Sequence, residues 1–181
     1  MTLKSLAVIL VFGLCVFPAL AQDATTTVAG QVEVPDRQLL DQASNPTSAI
    51  EALSGDTVTV VSFTFTGCTS ICPVSDLIMS AVDRAPGDFR IATLTIDPIG
   101  DTPETLSRHA RELSASGRWR FYTGDPRSVL DVTASLGMDT RSLVDHPAFF
   151  LVIGPRMSSV TRLEASASSD DIRQAIALAS R

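Results

Sequence analysis

The chain has 181 residues, 45% of them hydrophobic, and a formal net charge of −6 from 14 basic and 20 acidic side chains. That length suits one domain of ordinary size. An acidic chain without a basic run argues against partners such as nucleic acid or an anionic membrane surface, and the sequence shows no internal repeat.

Residues 1–21 read as a secretory signal peptide. Lys4 supplies a positive start, residues 6–17 form an apolar core too short to span a bilayer with ease, and Pro18-Ala19-Leu20-Ala21 ends on the small-x-small pattern of a cleavage site. The mature chain then begins at Gln22. Only Lys4 is lost from the charge count, which goes from −6 to −7. Cys15 leaves with the signal, because Leu14 before it is too large for lipoprotein cleavage; an uncleaved anchor is the alternative. Cys68 and Cys72 remain, and an even thiol count in an exported chain fits an oxidising compartment.

Residues 22–38 are polar and read as a flexible N-terminal lead, with residues 39–181 as the folded domain. Residues 39–56 predict a short edge element, a turn and a loop into the central strand. Residues 58–65, β-branched and aromatic, predict a buried strand. Pro73 opens a helix in which Val74, Leu77 and Ile78 repeat at helical spacing. Residues 89–96 form a second strand, ending in a loop of turn formers from Asp97 to Pro103. Thr102 caps the next helix, with Pro103 and Glu104 in its first turn. A strand at 119–122, a helix at 127–136, an apolar strand at 148–153, a last strand at 160–163 and a closing helix at 170–179 complete the chain. This order predicts an α/β domain with a central mixed sheet and helices on both faces. It is also the order of the thioredoxin-like fold, in which a redox pair sits between the first core strand and its helix.

Cys68 and Cys72 occupy that position. A thiol pair at the start of a helix meets the positive end of the helix dipole, which favours thiolate over thiol. The pair is a candidate for redox chemistry, metal binding or both. A structural disulfide is the plainer reading, but one closing so short a loop removes little unfolded-chain entropy. His146 lies just before an apolar strand, at an end of the sheet. In a thioredoxin-like arrangement its loop packs against the thiols. Two thiolates and one imidazole form a soft, low-coordinate set that suits Cu(I) better than it suits a four-ligand structural zinc site. Pro147 reads as a trans proline at a strand start, with a cis proline facing the cysteines, common in thioredoxin-like proteins, as the alternative. Asp97 and Asp101 read as turn and capping residues, with tuning of the site or reception of a partner as the alternative. His109 reads as a surface residue. Met79, Met138 and Met157 are the available thioethers, with Met79 on the apolar side of its helix. There is no Gly-rich phosphate loop, no serine nucleophile elbow and no Cys-x-x-Cys-His haem attachment.

Four segments together resemble the SCO/SenC family, the thioredoxin-like copper proteins of cytochrome c oxidase assembly. They are the run from Phe63 to Pro73 containing Cys68-Thr69-Ser70-Ile71-Cys72-Pro73, the run Thr95-Ile96-Asp97-Pro98-Ile99-Gly100-Asp101-Thr102-Pro103-Glu104, the run Trp119-Arg120-Phe121-Tyr122-Thr123-Gly124-Asp125, and Asp145-His146 before an apolar strand. The resemblance implies Cys68, Cys72 and His146 as ligands of a copper ion, Cu(I) or Cu(II). It implies delivery of copper to the dinuclear centre of the copper-bearing oxidase subunit, or reduction of that subunit's cysteines before metallation. It also implies a periplasmic location, with the membrane reached only through the oxidase or an uncleaved signal. The chain resembles a divergent member of that family, by three features: Thr69-Ser70-Ile71 lacks the acidic residue usual between the cysteines, the segment 137–145 is short, and Pro147 follows the histidine where serine is common.

A metallochaperone is therefore the first functional expectation. The alternative is a thiol–disulfide oxidoreductase or redox-signalling protein without stable copper, acting on another periplasmic thiol or copper protein. There Cys68 is the attacking and Cys72 the resolving catalytic residue. A binding domain with a structural bridge stands third.

Overall fold

A computed structural model describes residues 25–27, 32–143 and 146–181. Residues 1–21, read as a signal peptide and including Cys15, lie outside the described residues, as does Asp145.

Among the described residues, eight strands form one mixed sheet: β1 (Thr25–Thr27), β2 (Gln38–Asp41), β3 (Pro46–Ser48), β4 (Val58–Thr64), β5 (Phe89–Thr95), β6 (Trp119–Thr123), β7 (Phe149–Ile153) and β8 (Val160–Glu164). The helices are α1 (Ala49–Leu53), α2 (Cys72–Asp83), α3 (Pro103–Glu112), α4 (Pro126–Ser135) and α5 (Ser169–Ala179). The strand order is β1-β8-β7-β4-β5-β6-β2-β3. β4, β5 and β6 run parallel, and every other neighbouring pair is antiparallel.

Strand alternation sends side chains to two cores. Val61 and Phe63, Ala92 and Leu94, and Leu151 and Ile153 face α1 and α4, where Leu53, Val129 and Val132 meet them. Val58 and Val60, Ile91, Phe121 and Val152 face α2, α3 and α5, meeting Met79, Leu106 and Ile172. All seven residues of β4 are buried. A strand covered on both faces reads as a continuous apolar and β-branched run. On the second face, Trp119 Nε1 donates to Thr93 Oγ1 at 2.7 Å, and Thr93 also shares a 2.7 Å hydrogen bond with Ser62.

The predicted α/β architecture is the one observed, with two differences from the sequence reading. Residues 39–56 hold a hairpin, β2 and β3, and a helix, α1, rather than one edge element and a loop. Ser48 caps α1 in a capping box with Glu51, a local signal at Ser-x-x-Glu spacing that a five-residue helix otherwise lacks. Thr25–Thr27, inside the segment read as a lead, pair with Thr161 to Leu163 of β8. No helix among the described residues is long and apolar enough to cross a membrane.

Candidate metal centre

The site forms at the C-terminal end of β4 because of strand direction. The chain leaves β4 through Phe65, Thr66 and Gly67, reaches Cys68, and enters α2 at Cys72. β7 runs antiparallel to β4, so its first residues lie beside the last residues of β4. Phe149 at the start of β7 packs on Phe63 near the end of β4, ring centroids 5.0 Å apart. The segment just before β7 carries His146, which is thereby brought to the two cysteines.

The ligand atoms of Cys68, Cys72 and His146 all lie within 4.8 Å of one another, a group that can hold a metal ion. Both cysteines are free thiols. His146 Nδ1 lies 3.1 Å from the carbonyl oxygen of Pro147. A carbonyl only accepts, so Nδ1 carries the proton and Nε2 keeps its lone pair for a metal. The ring also meets Phe65 edge-on at 6.0 Å, and the His146–Pro147 peptide bond is trans.

The two thiols differ. Pro73 sits in the first turn of α2, and Ile71 at its N-cap provides no side-chain hydrogen bond. The Cys68 sulfur takes that place, accepting the Cys72 N–H at 3.3 Å. Partial burial works against a Cys68 thiolate, but hydrogen bonds from the Cys72 thiol and backbone and from Ser70 outweigh it, so Cys68 is more acidic than an ordinary thiol. Cys72 is buried. That burial, followed by its hydrogen bond to Cys68, pushes its pKa up to about 12. Cys72, His146, Met138, Phe63, Pro147 and Phe149 enclose a cavity of only about 10 Å3. Of the thioethers, Met138 therefore borders the site, whereas Met79 lies in the core.

Two residues prove more than their local sequence suggests. Asp101 is 1% exposed rather than a plain capping residue. Its carboxylate accepts hydrogen bonds from the Thr66 backbone N–H and hydroxyl and from the Thr95 hydroxyl, and its carbonyl accepts from Thr123. The loop that carries Cys68 is thus tied to β5 and β6. Asp97, by contrast, behaves as read, accepting the Gly100 N–H in a turn. His109 is half-buried, not a surface residue: it stands edge-on against Phe121, with Nε2 3.1 Å from Asp76 Oδ2. At that distance the two form an ion pair when the imidazole is protonated, while Nε2 makes no aligned hydrogen bond. The close Asp76 carboxylate raises the His109 pKa above its usual value, with burial opposing. Nothing in the one-dimensional pattern joins these two positions, since Asp76 is on α2 and His109 on α3.

The SCO1/SenC family model matches residues 27–180. The chain belongs to the SCO1/SenC family. No curated protein matches the sequence. Among solved structures, the chain is similar to Arabidopsis thaliana ScoI with copper bound, at 18% identity and a TM-score of 0.68, over 81% of this chain and 96% of that one. It is similar to Bradyrhizobium japonicum ScoI with copper bound, at 22% identity and a TM-score of 0.66, over 80% and 98%. It is also similar to BsSco, described as a member of the Sco family of cytochrome c oxidase assembly proteins with a disulfide switch, at 23% identity and a TM-score of 0.70, over 81% and 92%. At these identities the likenesses show the fold. This SCO1/SenC chain is thioredoxin-like, with its thiols at the strand-to-helix junction and its histidine opposite them.

Proposed function

We propose that this SCO1/SenC protein is exported to the periplasm, binds one copper ion through Cys68, Cys72 and His146, and delivers it to the dinuclear copper site of a cytochrome c oxidase subunit. The observation that carries the reading is the gathering of two sulfurs and one imidazole within 4.8 Å. Two thiolates and a neutral imidazole favour Cu(I), and a three-ligand set leaves copper open to an entering thiolate. Copper here is cargo: it leaves by ligand exchange when a partner's thiolates replace Cys68 and Cys72 one at a time. Copper bound in the solved ScoI relatives supports the reading, and so does the assignment of BsSco to oxidase assembly. The signal-like residues 1–21 support export; intact mass of the protein from the periplasm tests cleavage after Ala21.

The test is anaerobic Cu(I) titration of the reduced domain against a competing chelator. One tightly held ion, lost in Cys68→Ser and weakened at least tenfold in His146→Ala, is expected. Absence of tight copper in the parent protein overturns the reading.

A second reading has its own observation, the difference between the thiols. Cys68 is the more exposed and more acidic; Cys72 is buried with a raised pKa. That division suits thiol–disulfide exchange. The Cys68 thiolate attacks a partner disulfide, forming a mixed disulfide and releasing one partner thiolate. Cys72 then loses its proton and attacks Cys68, releasing the second partner thiolate. The partner gains two electrons and the protein becomes a disulfide. Oxidase-subunit cysteines would be reduced this way before metallation. Trapping a mixed disulfide with Cys72→Ser tests it.

A further inference from the structure

Copper and thiol chemistry both require a partner sulfur to reach Cys68, and the two sides of the thiol pair are unequal. On the His146 side the enclosed space is about 10 Å3, too small for any side chain. On the other side, between α2 and α3, a groove of about 390 Å3 opens to solvent, within the roughly 300–1,000 Å3 range of ligand clefts. Cys68 and Cys72 form one end of it. Phe65, Leu77 and Leu113 supply apolar walls, and Asp76, His109 and Glu112 line its polar side.

Leu77 is 71% exposed, and Val74 one turn earlier is 48% exposed. Two large apolar side chains held in water beside a reactive thiol are more than scattered surface residues. Of the ionisable groups in the groove, His109 is held by Asp76, while Glu112 is exposed. The groove therefore offers apolar contact beside the thiols and, one helical turn beyond His109, the exposed carboxylate of Glu112, whose field also reaches that imidazole.

We propose that this groove is the docking site for the partner's cysteine-bearing segment, an extended stretch in which an apolar side chain on one side of the cysteine packs on Leu77 and a Lys or Arg on the other side meets Glu112. The inference rests on the reading that the thiol pair meets a partner's sulfur, and it names the chemistry of that partner. Burying one leucine-sized side chain supplies about a tenfold gain in encounter or reaction. The charge contributes a salt-sensitive preference on top.

The test uses the reduced protein and three short peptides of the types Leu-Cys-Lys, Leu-Cys-Glu and Gly-Cys-Gly. Each is prepared as its mixed disulfide with thionitrobenzoate, whose release reports attack by Cys68. The mixed disulfide of thionitrobenzoate with 2-mercaptoethanol, too small to fill the groove, serves as the reference. Each rate constant is divided by that for the reference. Leu-Cys-Lys is expected to exceed Gly-Cys-Gly about tenfold. Leu77→Ser removes most of that ratio and Leu77→Met keeps it. Glu112→Lys reverses the order of the Lys and Glu peptides, and added salt narrows it. Equal ratios for all three peptides, or ratios unmoved by Leu77→Ser and Glu112→Lys, overturn the docking site. Copper titration of the same samples is read separately. Loss of copper binding with peptide discrimination intact leaves the groove standing and sinks the metallochaperone reading. Copper binding without discrimination does the reverse.

Discussion

The Thr66 hydroxyl donates to the Asp101 carboxylate at 2.6 Å, and this contact fixes the loop that presents Cys68. Thr66 lies two residues past the end of β4, and Asp101 stands just before α3, the helix that follows β5. The same carboxylate holds the Thr66 N–H and the Thr95 hydroxyl, so its removal orphans three donors in a water-poor site. Asp101→Ala is expected to cost about 3 kcal/mol, from donors left without partners. Urea denaturation followed by Trp119 fluorescence measures it, with Asp101→Asn losing less because one acceptor oxygen remains. A midpoint equal to that of the parent protein would show that the bracket contributes nothing.

The thiols are expected to separate on a pH scale. Cys68, held below the ordinary thiol value, reacts with iodoacetamide first, while Cys72 with its pKa at about 12 stays unmodified through neutral pH. Mass spectrometry of peptides after brief labelling at increasing pH gives the two profiles. Superimposable profiles would remove the attacking and resolving roles.

His109 offers a stability signature. Its pKa is raised in the folded state by Asp76. A raised folded pKa stabilises the fold at pH below the unfolded value, which is near 6.5. The contribution is lost as pH rises through the folded value. The stability gap between the parent and Asp76→Asn should therefore be wider at about pH 6 than at about pH 9. Imidazole NMR should show the His109 titration moving to lower pH in the variant. A gap that does not change with pH, or a His109 titration unmoved by the substitution, counts against the pair.

Thr93 joins Trp119 and Ser62 in the buried face of the sheet. Thr93→Val keeps the shape but removes the acceptor of the indole N–H and the partner of the Ser62 hydroxyl. A loss of about 1–3 kcal/mol is expected in thermal or chemical unfolding, the range for a buried polar group left unpaired. No measurable change would mean that water replaces the lost hydroxyl.

Much of this protein was written locally. The β-branched run of β4, the Thr102-Pro103-Glu104 start of α3, and the apolar run of β7 each carry their own period or cap, so elements and their order follow from neighbouring residues. The cysteines announced themselves by standing between a strand pattern and Pro73. α1 was obscured because five residues hold too few turns for a period to emerge, even with its capping box.

What lies across the sheet was decided only in three dimensions. His146 gains its meaning because β7 runs antiparallel to β4, which returns a distant turn to the end of the strand that launches the thiols. Asp101 becomes a buried bracket because parallel β4 and β5 finish at the same edge. His109 leaves the surface because α2 and α3 pack on the same face and bring Asp76 to it. Sequence specified the groups and the frame. Strand direction and helix packing chose which groups meet, because each such meeting joins residues that share no local spacing.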